Sequence, residues 1–129
     1  MDAARLPPQD VEAEEAVIGS LLIDSNSFLN VAAFLKPEDF STERTKLCYE
    51  ACYALFDRNE ALNQITIAHE LGAQGVLESI GGASYLSQLI LKTPTSAHIE
   101  HYARIVNRTA IMRRLIGAAE DIASIGYEA

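Results

Sequence analysis

"SAHIEHYARIVNRTAIMRRLIGAAEDIASIG", Ser96 to Gly126, is the stretch on which the fold turns. After Ser96 there is neither proline nor a strong helix breaker until Gly117, and the helical pattern resumes beyond it through Gly126. Ile99, Tyr102, Ala103, Val106, Ala110, Leu115, Ile116, Ala119, Ile122 and Ala123, with Met112 beside them, read as one apolar side of a single helix. A helix of roughly 30 residues is about 45 Å long. That exceeds the width expected of a 129-residue domain, so its far end should project. A projecting apolar stripe stays in solution when a second helix, of the same chain or another, covers it. The chain stops at "GYEA", where a helical hairpin would turn, which predicts a longer parent protein.

Upstream the same helical spacing recurs in shorter pieces. Pro7-Pro8 followed by Gln9-Asp10 predicts a helix start with Asp10 as N-cap. Glu12, Glu14 and Glu15 then complement the positive end of the helix dipole. Val11, Val17, Ile18, Leu21 and Leu22 form its apolar face, and Asp24-Ser25-Asn26 ends it and caps a second helix carrying Phe28, Val31, Ala32 and Leu35 before Pro37. Ser41 or Thr42 caps a third, with Leu47, Cys48, Ala51, Cys52, Leu55 and Phe56 in one stripe and Lys46, Glu50 and Asp57 away from it. "DRNEALNQ" reads as a loop, and two short helical pieces, Thr66 to Leu71 and Gly75 to Ile80, each end at glycine. A helix with Tyr85, Leu86, Leu89 and Ile90 stops at Thr93-Pro94. No strand alternation, repeat or low-complexity segment interrupts this pattern. The fold class is therefore all-α: an N-terminal tail (1–8), a globular helical bundle (9–95) and a long helix (96–129), the first half of a hairpin.

With 49% hydrophobic and 22% charged residues the chain is a globular protein. Its acidic amino terminus lacks the apolar core of a secretory signal, and its longest apolar run, Ala16 to Ile23, is far short of a membrane span, so a cytoplasmic protein is expected. The formal net charge of −8 argues against a general nucleic-acid binder. Residues 1–60 hold 12 acidic and 5 basic side chains, residues 61–129 only 6 and 5. Arg104, Arg108, Arg113 and Arg114 form the one basic patch in the second half, to be weighed against the solvated, ion-paired side of a long helix with Glu100 one turn before Arg104.

Three further groups carry candidate chemistry. Gly81-Gly82 is the only glycine pair, yet no lysine follows until Lys92 and neither G-x-x-x-x-G-K-[ST] nor G-x-G-x-x-G is present, so it reads as a structural joint between helices. Cys48 and Cys52 with His69 suggest zinc, but both cysteines lie in an apolar stripe and read as core residues. His98 and His101, one turn apart, read as surface residues. No catalytic, cofactor-binding or metal site is assigned.

Several stretches together resemble one family, the amino-terminal domain of the bacterial replicative DNA helicase, DnaB. "LPPQDVEAEEAVIGSLL" is similar to that family's opening, a proline-marked start into an acidic first helix ending in Gly-x-Leu-Leu. "IGGASYLSQLI" and "TPTSAHIEHYARIVNRTAIMRRLI" resemble its Gly-Gly-x-x-Tyr-Leu segment and its Tyr-Ala-x-Ile-Val and Arg-Arg-Leu-Ile run. Single motifs are weakly specific; their order and spacing, over about residues 6 to 127, make the match.

The resemblance implies a compact bundle of about six helices followed by the first helix of a hairpin that pairs with the hairpin of a neighbouring subunit. It implies a full-length hexameric ring that unwinds DNA with ATP and Mg²⁺ in a carboxy-terminal RecA-like motor, which also makes most of the DNA contact. With no Walker A lysine motif, this stretch is expected to be no enzyme and to bind no cofactor. Its implied roles are to form a collar, a trimer of dimers, and to dock the carboxy-terminal domain of primase and a helicase loader. Tyr102, Val106, Met112, Leu115, Ile116 and Ala119 are the expected oligomer interface. Two rivals remain at this stage: a free-standing helical adaptor or small nucleic-acid-binding module on the four arginines, and a small enzyme built on Cys48, Cys52 and His69.

Overall fold

The computed structural model describes residues 6–129. Within them every regular element is helical: α1 (Val11–Ile23), α2 (Glu43–Asp57), α3 (Gln64–Ala73), α4 (Gly82–Lys92) and α5 (Ile99–Glu128), with 3₁₀ segments at Ser25–Asn30, Pro37–Asp39 and Glu78–Ile80. The all-α fold class holds. Five of the eight residues of the expected tail, 1–5, lie outside the described residues.

Helix α1 is the central strut. Asp10 caps it by accepting from the Ala13 N–H at 2.9 Å, and Val17, Ile18 and Leu21 are fully buried against α2, α4 and α5. Gly19 lets α4 come close: a Cβ there would collide with the Thr93 hydroxyl and lie 2.9 Å from the Leu89 carbonyl oxygen. Glu14, expected to serve the α1 dipole, does different work. Fully buried, its carboxylate accepts from Ser41 N (3.0 Å), Ser41 Oγ (2.6 Å), Thr42 N (3.4 Å) and Thr45 Oγ1 (2.6 Å), tying α1 to the amino-terminal end of α2 where the helix dipole favours an anion.

The second predicted helix is instead the 3₁₀ segment Ser25–Asn30 and a turn. Asp24 accepts from Asn26 N at 3.2 Å, and Ser27 Oγ donates to the Asp24 carbonyl at 2.6 Å, local bonds that draw Ser and Asn out of α-helix. Phe28, Val31 and Leu35 are buried as expected. Of the two candidate caps for α2, Thr42 is the one, accepting from Thr45 N at 3.3 Å, while Ser41 serves Glu14. The α2 stripe is rotated from the predicted one: Thr45 and Tyr49 are fully buried, whereas Phe56 is 39% exposed. Tyr49 donates to the Leu35 carbonyl at 2.8 Å and packs in an aromatic cluster with Phe28, Phe40 and Tyr53.

Helix α3 begins two residues before the predicted Thr66, capped by Asn63, and runs through Gly72 to Ala73. Gly75, with φ 74°, ends it: Val76 N–H reaches the Leu71 carbonyl and Gly75 N–H the Gly72 carbonyl, both at 3.0 Å. The predicted helix Gly75 to Ile80 shrinks to the 3₁₀ turn Glu78–Ile80. Gly81 and Gly82 then have φ of 106° and 71°, angles that L side chains rarely adopt, and link this turn to α4.

Helix α5 packs on the bundle along its first turns. Ile99, Ala103 and Val106 are buried in the same core as α1, Ala110 is buried one turn further on, and the projecting arm is the stretch from Ile111 onward.

Candidate functional site

The arm gathers a run of exposed large apolar side chains. Leu115 is 70% exposed, Ile122 71% and Ile125 67%, with Ile111, Met112 and Ile116 exposed beside them. These side chains do not continue the buried side of α5. Each residue advances about 100° around the helix axis, so Ile99, Ala103, Val106 and Ala110 share one line, while Ile111, Leu115, Ile122 and Ala119 cluster roughly 150° away. Past Ala110 the old buried side is occupied by Arg113, Gly117, Asp121 and Ser124. The single stripe predicted from Ile99 to Ala123 is therefore two faces, one for the core and one for whatever covers the arm.

This division sorts the expected interface residues. Val106 is fully buried in the chain's own core and is removed from the outward face. Tyr102 is half-buried on the core side, lining a groove of about 330 Å³ between α1, α4 and α5 together with Ala13, Ala16, Leu89 and Ile105. Met112, Leu115, Ile116 and Ala119 do lie on the exposed arm, joined by Ile111, Ala118 and Ile125, which the sequence reading passed over. The signal for those three was present: Ile111, Leu115, Ala118, Ile122 and Ile125 alternate steps of four and three, the seam of a helix pair.

The four arginines are not a free cationic patch. Arg113 donates to the carbonyls of Pro8 at 2.8 Å and Asp39 at 2.7 Å. Arg114 Nη1 pairs with Asp39 Oδ1 at 2.9 Å, and Asp39 Oδ2 accepts the Lys36 N–H at 3.0 Å. Arg104 pairs with Glu100 at 3.2 Å and lies 4.7 Å over the Phe34 ring. Arg108 is exposed on the outer side of α5. Two of the four thus anchor the root of the arm to the loop before α2, as the price of leaving the core.

Across α1 and α4 a second tie forms. Glu15 accepts from Tyr85 Oη at 2.9 Å and Lys92 Nζ at 2.7 Å. Burial alone would push the Glu15 carboxyl up, but the Lys92 and Tyr85 hydrogen bonds and the charges of Lys92 and Arg44 outweigh it and hold it below its ordinary value. Burial pushes the Cys48 thiol up to about 12 and Cys52 higher still, and both are fully buried, as core residues are. His69, His98 and His101 are exposed, and His69 is not gathered with the cysteines. Among the described residues no group of three or more His, Cys, Asp or Glu is placed to hold a metal, and no helix is long and apolar enough to cross a membrane.

With this geometry in view, comparison with known proteins gives a consistent result. Residues 6–108 match the family model described as DnaB-like helicase N terminal domain. The chain is 42% identical over 123 residues to the replicative DNA helicase DnaB of Geobacillus stearothermophilus and 41% identical over 123 residues to the replicative DNA helicase DnaC of Bacillus subtilis (strain 168). Each match covers 95% of this chain and 27% of the relative, so the chain spans about a quarter of the length of these relatives. The crystal structure of the N-terminal domain of DnaB helicase from Mycobacterium tuberculosis superposes with a TM-score of 0.92 at 38% identity, covering 95% of this chain and 85% of that one. A DnaB-like replicative helicase, described with its interactions with primase, shares the fold at a TM-score of 0.82 and 23% identity, over 93% of this chain and 28% of that one.

Proposed function

The chain belongs to the DnaB-like helicase N terminal domain family, and we propose that it serves as the amino-terminal collar of a cytoplasmic replicative DNA helicase, joining subunits into a hexamer, as a trimer of dimers, and docking primase. The observation that carries this reading is the arm: α5 leaves the core at Ala110 and turns an apolar face outward for a further four turns or so. A solvated helix has no use for such a face, and a subunit contact does. Catalysis belongs to the rest of the full-length protein, where ATP and Mg²⁺ bind and most DNA contact is made; this stretch lacks the G-x-x-x-x-G-K-[ST] loop that cradles phosphates.

The primase half of the proposal draws on the relatives, one of which is described with its interactions with primase. A helicase loader is a further proposed partner of the same collar. The nucleic-acid reading gains little, since Arg104, Arg113 and Arg114 are already engaged within the chain.

The test is mass in solution by light scattering across a concentration series. The unaltered chain is expected to associate, and the Leu115→Asp, Ile116→Asp double variant to be monomeric with an unchanged helical circular-dichroism spectrum, because both side chains are exposed in the single chain. A double variant that associates as the parent does would remove the arm from the interface. Titration of the purified carboxy-terminal domain of primase, followed by calorimetry, tests docking separately; no heat at any concentration counts against it.

A further inference from the structure

Where α5 leaves the bundle, two adjacent arginines grip three separate parts of the chain. Arg113 stands one turn beyond Ala110 on the core side of the helix, and its fork spans two segments, Nη1 donating to the Pro8 carbonyl at 2.8 Å and Nη2 to the Asp39 carbonyl at 2.7 Å. Arg114 reaches the Asp39 carboxylate at 2.9 Å. Asp39 is itself fixed, being buried, with its other carboxylate oxygen accepting the Lys36 N–H at 3.0 Å. The same loop is bound at Ser41 and Thr42 by the buried Glu14 of α1. The root of the arm is thus tied to α1 twice, through the loop 37–42 and through the segment that leads into the helix.

We infer that this clasp is a latch on the direction of the arm, closed by the segment ahead of α1: with Pro8 in place α5 is held as far as Arg114, and with Pro8 withdrawn the arm swings and its root frays. A helix that stands free of a globule bends and unwinds up to its last fixed point. The last buried residue of α5 is Ala110. The clasp carries the fixed point four residues on, about 6 Å along the axis. Just beyond it stands Gly117, with no atom within 4 Å of where a Cβ would lie, and glycine is the poorest helix former after proline. Support therefore ends where the helix is weakest.

Of the three links, the one to Pro8 is the easiest to undo. The Asp39 links end on a loop held from both sides by Lys36 and Glu14. Pro8 is held from one side, by the Asp10 cap of α1, and Leu6 and Pro7 before it are exposed. Proline fixes its own φ and keeps the residue before it extended, so Pro7-Pro8 presents the carbonyl to Arg113 with little freedom left to lose. A stiff strap with one exposed end transmits a pull on that end to the arm.

Spin-label distances test the latch. Labels are placed at Ala73→Cys, at the end of α3, and Tyr127→Cys, at the tip of the arm, both exposed positions, while Cys48 and Cys52 are buried and take none. The labelled chain carries Ile122→Asp and Ile125→Asp, two turns or more beyond the clasp, and is diluted with unlabelled chain so that only distances within one chain are read. A narrow distribution is expected with the clasp intact. Arg113→Met with Arg114→Gln should make it about twice as wide, and the amides of residues 111–116 should exchange about tenfold faster, with those of α1 and α2 unchanged. Pro7→Gly with Pro8→Gly leaves both arginines and every carbonyl in place, and a widening between these two is expected. Parental width in the arginine variant overturns the clasp. Widening in the arginine variant without any in the glycine variant takes the strap out of the device and overturns the latch. If the arginine variant fails to fold, the glycine variant alone decides, wider for the latch and unchanged against it.

Discussion

Replacing Glu14 by alanine removes the carboxylate that joins α1 to α2, and its cost follows from the four contacts. Thr45 Oγ1 keeps a substitute acceptor in the Thr42 carbonyl at 3.2 Å, and the half-buried Ser41 hydroxyl can turn to water. The backbone N–H groups of Ser41 and Thr42 lose their only side-chain acceptor at the start of α2. Two charge-assisted hydrogen bonds at about 1.5 kcal/mol each, plus about 1 kcal/mol for the packing of a fully buried side chain, give about 4 kcal/mol, lessened by relief of the desolvated charge to about 3. For a domain of this size that lowers the melting temperature by about 10 °C. Glu14→Gln keeps the packing and one acceptor oxygen but aims its NH₂ at donors, so about 2 kcal/mol is expected. The assay is urea unfolding followed by far-UV circular dichroism at neutral pH, made in the Leu115→Asp, Ile116→Asp background so that self-association does not enter the equilibrium. A Glu14→Gln chain within about 0.5 kcal/mol of its parent would refute the claim that the charge holds the two helices.

Two further outcomes follow from the packing around α1. Gly19→Ala drives a methyl into the Thr93 hydroxyl and toward the Leu89 carbonyl, so a loss of about 1–3 kcal/mol is expected in the same unfolding assay, and parental stability would show that α1 and α4 do not approach as described. Glu15 titrates below its ordinary value of 4.5 in the folded chain, so its contribution is complete above that value and is lost as pH falls through the lower folded one. Glu15→Gln should therefore be less stable than the parent at neutral pH and draw level with it in acid; an undiminished gap at low pH would disprove the linkage to Lys92 and Tyr85.

Most of the fold was legible because helices announce themselves by caps, breakers and period. Asp10, Pro37, the Gly81-Gly82 joint and the Thr93-Pro94 stop act locally, and local signals survive in a sequence. What was not legible depended on partners distant in the chain. Glu14 looks like any first-turn acid until Ser41 and Thr45, some 27 to 31 residues away, are brought to it. Gly19 looks like a weak point in a helix until Thr93 is placed against it, and Tyr49 falls outside a stripe drawn by aliphatic spacing until Phe28 and Phe40 surround it.

The division of α5 was missed for a different reason, and it is the one that bears on function. Ten apolar residues at spacings of three and four were read as one face, yet the step from Ala110 to Leu115 is five residues and swings the stripe about 140° around the axis. A helix whose apolar face swings in this way packs one stretch on its own core and turns the next away from it. The charges mark the same boundary, since Arg113 and Arg114 sit where the core face ends and bind the last elements of the globule within reach, Pro8 and Asp39. Had the stripe run straight from Ile99 to Ala123, the whole helix would lie against one surface and the arm would be an edge of the globule. Because it turns, the globule can fold with the arm bare. The outward face then stays clear of the globule, which is what the proposed contact between chains requires.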